Sequence, residues 1–376
     1  MSLAPRRERR EAREASRAPA LRLWEIDDAA TATVEPTRLR PVQVVAGIAF
    51  LLGAAVASVV VGPADLPPGA VLEEVVSRLP FVALHPHLSP EGVAVVWQLR
   101  APRIVLGGVV GAMLALAGAA YQGVFSNPLA DPYLLGVASG AGLGATVAVI
   151  ELPRLAQLPA GPVPALAFAG AILAVLATFA LGRSRRGGPA GNLILAGVAV
   201  GAFFTAAQTF LQQRNTPVLQ QVYTWILGGL STAGWSDVTL VLPYVGVAAV
   251  ALLACRRLLD VLSVGDEEAT SLGVRAERVR LVVIAAATLG TAAAVSVSGL
   301  IGFVGIIVPH TIRLLVGPSY QRILPLSLLF GAGFLILADL LARTVLAPGE
   351  VPLGVVTAFL GAPFFLVVLR QARRLA

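Results

Sequence analysis

The 376-residue chain contains no lysine, one cysteine and three histidines, and only 13% of its residues are charged. Each shortage excludes something. A single cysteine, Cys255, cannot form an intramolecular disulfide, so nothing here demands an oxidising compartment. As a lone thiol close to an expected helix end, it reads as a small apolar filler. Without lysine there is no G-x-x-x-x-G-K-[ST] phosphate loop, so the chain carries no nucleotide-hydrolysing site of that type. Soluble domains carry about 25% charged residues. With half that charge and 57% hydrophobic residues, this is an integral membrane protein. The formal net charge of +7 then reads as arginine-rich loops on one side of a membrane, not as a nucleic-acid surface. The apolar runs hold no paired carboxylates, metal-ligand cluster or nucleophile with a base. No catalytic residue, bound metal or cofactor is expected, and the chain is not read as an enzyme.

What is present is a succession of long apolar runs. Charge-free stretches cover 41–62, 104–130, 132–150, 155–182, 187–213, 238–255, 281–309, 323–338 and 351–369. A helix needs about 20 apolar residues to cross a bilayer core of roughly 30 Å, so 281–309 with its extension to Gly317 is too long for one crossing. Ser296, Ser298, Gly299, Gly302 and Gly305 interrupt it, which splits it into two. The expected fold is an all-α polytopic membrane protein of about ten transmembrane helices. Residues 1–40, mixing nine arginines with seven acids, form a charged cytoplasmic tail, and 41–376 the membrane domain. With the N-terminus inside, only six of the 28 arginines face out (Arg78, Arg100, Arg103, Arg154, Arg214 and Arg343). That asymmetry puts both termini in the cytoplasm.

Residues 100–145 organise the rest. A Gly/Ala-rich run without charge between Arg103 and Asp131 suits helices whose backbones approach closely in lipid. It ends in a turn of Ser126, Asn127, Pro128, Leu129, Ala130, Asp131 and Pro132. Loop backbone needs hydrogen-bond partners that lipid does not offer, so this turn lies at a membrane surface or is buried in protein beside a cavity. The long segment 62–99 is expected to carry a short surface helix at 72–79. Its His85 and His87 are either a ligand pair or two solvated histidines in a Pro-rich loop. Segment 214–237, with Trp225 and Trp235, reads as an interfacial helix. Arg100-Ala-Pro-Arg103 and Arg275-Ala-Glu-Arg278 open two weakly similar four-helix sets, whose spacing would make them inverted repeats of the kind transporters use.

Charge at the membrane ends supplies the remaining candidates. Arg100, Arg103 and Arg343 stand against the positive-inside bias. They either snorkel to headgroups or form ion pairs, as Asp339 and Arg343 are one helical turn apart, or they bind a partner. In the loop 263–275, Asp266, Glu267 and Glu268 suit a helix start, Gly273 its end, and Ala269, Leu272 and Val274 an apolar face. Such a loop is either a stable surface element or a docking helix. His310 follows Pro309 and is expected to make a structural hydrogen bond.

The run R-x-P-R, a small-residue helix, then Q-x-x-F-x-N-P-L-A-D-P-x-x-L-G resembles the permeases of iron-siderophore, haem and cobalamin ABC importers, the FecCD-type permeases. Gly265-Asp-Glu-Glu-Ala-Thr-Ser-Leu-Gly273, Gly302-Phe-Val-Gly-Ile-Ile-Val-Pro-His310 and Ala338-Asp-Leu-Leu-Ala-Arg343 are similar to further signatures of that family, in family order. The resemblance implies a permease homodimer in the bacterial cytoplasmic (inner) membrane, with its path between the two copies. It also implies two separate ATPase subunits that bind ATP and Mg, and an extracytoplasmic binding protein that delivers cargo, for which a ferric siderophore is the first expectation. Under it, Gly265, Asp266, Glu267, Glu268, Ala269, Leu272 and Gly273 form the coupling helices. Arg100, Arg103 and Arg343 dock the binding protein, and Asn127, Pro128 and Leu129 form the cytoplasmic gate. The rival is a secondary transporter driven by an ion gradient, for which Asp339 is the candidate acid.

Overall fold

A computed structural model describes residues 38–80, 87–151, 161–182 and 191–375. The chain divides into Met1–Arg38 and Leu39–Ala376, and the second unit is the one described. The charged tail, His85 and Arg154 lie outside the described residues. Those residues contain helices and no strand. In chain order they are α1 (Pro41–Val60), α2 (Pro68–Ser77), α3 (Pro90–Val124), α4 (Val137–Glu151), α5 (Pro162–Gly182), α6 (Gly191–Arg214) and α7 (Leu219–Ile226). They continue as α8 (Trp235–Ala254), α9 (Arg256–Leu262), α10 (Asp266–Ser271), α11 (Ala276–Ser298), α12 (Val304–Val316), α13 (Tyr320–Thr344) and α14 (Leu353–Leu375).

Seven helices (α1, α3, α5, α6, α8, α11 and α13) are long and apolar enough to cross a membrane, and three shorter apolar helices, α4, α12 and the first part of α14, occupy the other expected runs. The chain is therefore an all-helical, multi-pass membrane protein. The surface helix of segment 62–99 forms at Pro68–Ser77, slightly earlier than expected, because Pro67 and Pro68 start it. The short helix expected within 214–237 forms as α7.

The long run 281–317 breaks where its glycines predict. Gly299 has φ +66°, and a side chain there would collide with the Trp225 carbonyl oxygen. Only glycine meets both demands at no cost. Gly229 N–H donates to the Ser298 oxygen, and Leu353 and Gly354 N–H donate to Gly228 and Leu227. The ends of α7 and α11 and the start of α14 thus satisfy one another's backbone groups, as membrane depth requires.

The stack is centred on α3, whose surroundings include α8, α11, α12 and α13, while α4, α5 and α6 pack together, with α4 and α5 against α11. Lipid is as apolar as leucine, so close backbone approach takes over from hydrophobic drive in joining helices. A Cβ on Gly111 would strike the Gly331 carbonyl oxygen of α13, and one on Gly118 would strike the backbone of Gly305 in α12. Gly140 and Gly170 join α4 to α5 in the same way. By contrast, much of α1, α5, α6 and α8 presents large exposed apolar side chains such as Leu52, Leu176, Phe203 and Val250, as lipid-facing helices do.

Gly118→Ala is expected to force α3 from α12 and cost about 1–3 kcal/mol or more. Gly246→Ala, with nothing within 4 Å of the new methyl, should be neutral. Thermal inactivation of the purified protein in detergent compares the two.

Candidate functional site

At one end of the stack, α3, α13 and the end of α1 bring the three arginines together. Arg103 grips Asp339 through Nε and Nη2 at 2.9–3.1 Å, and Glu350 through Nη1 at 2.8 Å and Nη2 at 3.1 Å. Its partners are 236 and 247 residues away in the chain. Arg100, 3% exposed, donates to the carbonyls of Val59 (2.6 Å), Val60 (3.0 Å) and Ala64 (2.7 Å). It therefore caps the C-terminal carbonyls of α1, which lack partners inside the helix. Arg343, also 3% exposed, donates to the Ser58 carbonyl and, at 2.6 Å, to Ser58 Oγ. Its Nε lies 3.7 Å from Asp339, so the local pair expected from sequence exists, but Arg103 is the closer partner. Gly62 lies between the Arg100 and Arg343 guanidinium groups with no room for a side chain. Of the three arginines, Arg103 and its partner Glu350 reach the rim.

The opposite end holds the loop 263–275 and the turn after α3. Gly265, at φ +133°, starts α10, and Asp266 pairs with Arg280 of α11 through two bonds of 2.7 Å. Gly273, at φ +78°, ends it: its N–H donates to Thr270 and that of Val274 to Ala269, the two bonds of a Schellman cap. Ala269 points inward and is fully buried, whereas Leu272 is 68% exposed and Glu267 and Glu268 face solvent. The expected apolar face is therefore divided: Ala269 anchors the helix and Leu272 presents it. The preceding α9 is tied to the start of α13, because Asp260 accepts from Ser319 Oγ (2.9 Å), Tyr320 N–H (2.5 Å) and Gln321 Nε2 (3.1 Å). A carboxylate at a helix N-terminus satisfies orphan donors and suits the dipole.

In the turn, Asn127 Oδ1 accepts from Leu129 N–H at 3.0 Å, and Asn127, Pro128 and Leu129 are exposed. Beyond them the chain folds back. Pro132 packs on Gly305 beside the Leu114 carbonyl, ten residues, or about 15 Å, inside the end of α3. Tyr133 OH donates to the Ile301 carbonyl at 3.0 Å and accepts from its N–H at 3.1 Å. The turn is thus exposed at Asn127–Leu129 and buried or half-buried beside a cavity from Ala130 onward. Pro309 withholds the N–H that Gly305 O would otherwise receive within α12. Gln122 Nε2 of α3 supplies it at 3.2 Å, held in turn by Arg313 at 3.0 Å.

His310 Nδ1 has no hydrogen-bond partner, so the structural bond expected there is not seen at that atom; its ring meets Phe364 edge-on at 5.9 Å. His87 is exposed, 3.4 Å from Glu73, and no cluster of three metal-ligating side chains exists among the described residues. Sequence reasoning missed Gln122, Asp260 and the polar face of α6. The last was readable, since Thr205, Gln208, Thr209 and Gln212 recur at helical spacing.

A multi-pass helical stack with a capped, exposed loop at one end and an arginine cluster at the other fits a membrane transport subunit. Residues 40–371 match the FecCD transport family, and the chain belongs to it: it is an ABC transporter permease, with the ATPase a separate subunit. It is 44% identical over 277 residues to the cobalamin import system permease protein BtuC of Halobacterium salinarum, covering 74% of this chain and 73% of that one. It is 37% identical to the iron(3+)-hydroxamate import system permease protein FhuB of Bacillus subtilis, covering 88% and 83%. A solved structure of a metal-chelate type ABC transporter in an inward-facing conformation superposes with a TM-score of 0.76 at 29% identity, covering 88% of this chain and all of that one.

Asp339→Asn leaves Arg103 and the buried Arg343 without their shared counter-charge and is expected to cost about 3–5 kcal/mol. Glu350→Gln, at the rim, should cost less than about 1 kcal/mol. Chemical or thermal unfolding of both variants in one detergent provides the comparison.

Proposed function

We propose that two copies of this chain form the translocation unit of an importer in the bacterial cytoplasmic membrane, with both termini in the cytoplasm. Two ATPase subunits hold ATP and Mg and engage the α10 loop. An extracytoplasmic binding protein delivers a ferric siderophore, haem or cobalamin at the arginine end, with a ferric siderophore the first choice. The observation that carries the reading is the α10 loop. It is clamped by the Asp266–Arg280 pair and a Schellman cap, yet it leaves Leu272 and Val264 both exposed. A rigid loop with an exposed apolar knob and acidic residues around it suits a cleft on a partner protein.

At the other end Arg103 and Glu350 form the reachable part of the docking surface, while Arg100 and Arg343 hold α1 and α13 in place beneath it. Asn127, Pro128 and Leu129 form a gate next to the coupling loop: Leu259 of α9 and Tyr320 both touch Gly123 near the end of α3. Asp339, the acid singled out for an ion-driven carrier, is committed to Arg103.

Co-expressed with its ATPase and reconstituted in liposomes, the wild-type complex should hydrolyse ATP. Glu267→Arg combined with Leu272→Asp should lower copurified ATPase at least about tenfold, the factor that a loss of 1.4 kcal/mol produces, with the permease still folded and inserted. Undiminished assembly of the double variant would sink the coupling assignment.

A further inference from the structure

The polar face of α6 is out of place on a membrane helix. Thr205, Gln208, Thr209 and Gln212 follow one another at intervals that put them on one side, and lipid cannot satisfy them. They line a cavity of about 610 Å³ together with Asp131, Tyr133 and Ser139, within the range of ligand sites. Gln208 is 8% exposed, and its carboxamide has no hydrogen-bond partner among the described residues. It lies over Gly142 of α4, where a side chain would displace it. A carboxamide without a partner at the wall of a cavity is open to one from outside the chain.

The other groups have chemistry to spare. Thr209 donates to the Thr205 carbonyl and Ser139 to that of Gly136, both at 2.9 Å, so each hydroxyl oxygen is still open as an acceptor. Asp131 Oδ1 accepts from Tyr133 N–H at 2.8 Å. Among the residues lining the cavity Asp131 is the one charged group, and it is negative. Polyanionic cargo would bring like charge against it, with no cation among the described lining residues to compensate. Neutral amides and hydroxamates would find both donors and acceptors.

We propose that the α6 face and Asp131 form a cargo subsite selecting an uncharged chelate with an amide- or hydroxamate-bearing periphery, and rejecting polyanionic chelates. The inference rests on the importer reading and narrows its cargo.

The test is retention of labelled probes by the full chain in lipid nanodiscs, measured by equilibrium dialysis without the ATPase. The probes are a neutral ferric trihydroxamate, cyanocobalamin and a trianionic ferric tricatecholate. At least one neutral probe should be retained about tenfold or more over the tricatecholate, and which one identifies the source of the shared chemistry. Gln208→Leu with Gln212→Leu should cut that retention about three- to tenfold, the worth of one or two hydrogen bonds. Thr209→Val, at an exposed position that tolerates the change, should weaken it in the same direction, and Asp131→Asn should narrow the discrimination. Equal retention of the trianion, or indifference to all three variants, overturns the subsite. ATP-driven uptake of a neutral probe with no retention by the permease overturns the subsite and leaves the importer reading standing. Absence of both retention and ATP-driven uptake for every probe overturns the two together.

Discussion

Inside a membrane, helices gain little by hiding apolar surface from one another, because the lipid is equally apolar. Contact must come from backbones that meet, and here those meetings run along one face of α3. Gly111 admits α13 and Gly118 admits α12. One helix turn further, Gln122 restores the hydrogen bond that Pro309 removes from α12. A single helix therefore sets the distance of its neighbours and repairs the irregularity of one of them. The folded-back turn after α3 is a consequence. Pro132 can reach Gly305 beside the Leu114 carbonyl only because Gly305 carries no side chain.

The two ends of the stack use charge differently. At the arginine end the charges are sunk into the fold: Arg100 and Arg343 serve the last carbonyls of α1 and the Ser58 side chain, and Arg103 neutralises Asp339. Buried charges of this kind contribute little net stability when complete and cost much when broken. They fix the relative position of three helices instead. At the other end the Asp266–Arg280 pair is part-exposed and orients a loop whose backbone is already capped.

Local features were readable from the sequence because their causes are local. Gly273 ends α10 as a glycine after a short acidic helix should, and Gly299 breaks the long run. The partners of Arg103 were not readable. Asp339 sits one turn before Arg343, so sequence proximity suggested that pair, whereas a residue 236 positions away makes the shorter bonds. The depth of Asp131 was hidden too, since a proline-bracketed acid looks the same in a surface turn as in one folded back into the stack. The side of α6 that faces the cavity is different again. Its spacing is plain in the sequence, but a stripe of threonine and glutamine acquires meaning only when the neighbouring helices leave Gln208 unpaired.

Asp260 adds a mechanical property to this architecture. Through three hydrogen bonds it fastens α9, which precedes the α10 loop, to the first turn of α13. The far end of α13 carries Asp339 and Arg343. Twenty-five residues of helix make a strut of roughly 37 Å whose foot is bolted to one surface element and whose head is locked into the opposite cluster. Axial displacement of α9 must therefore break those bonds or carry the first turn of α13 with it.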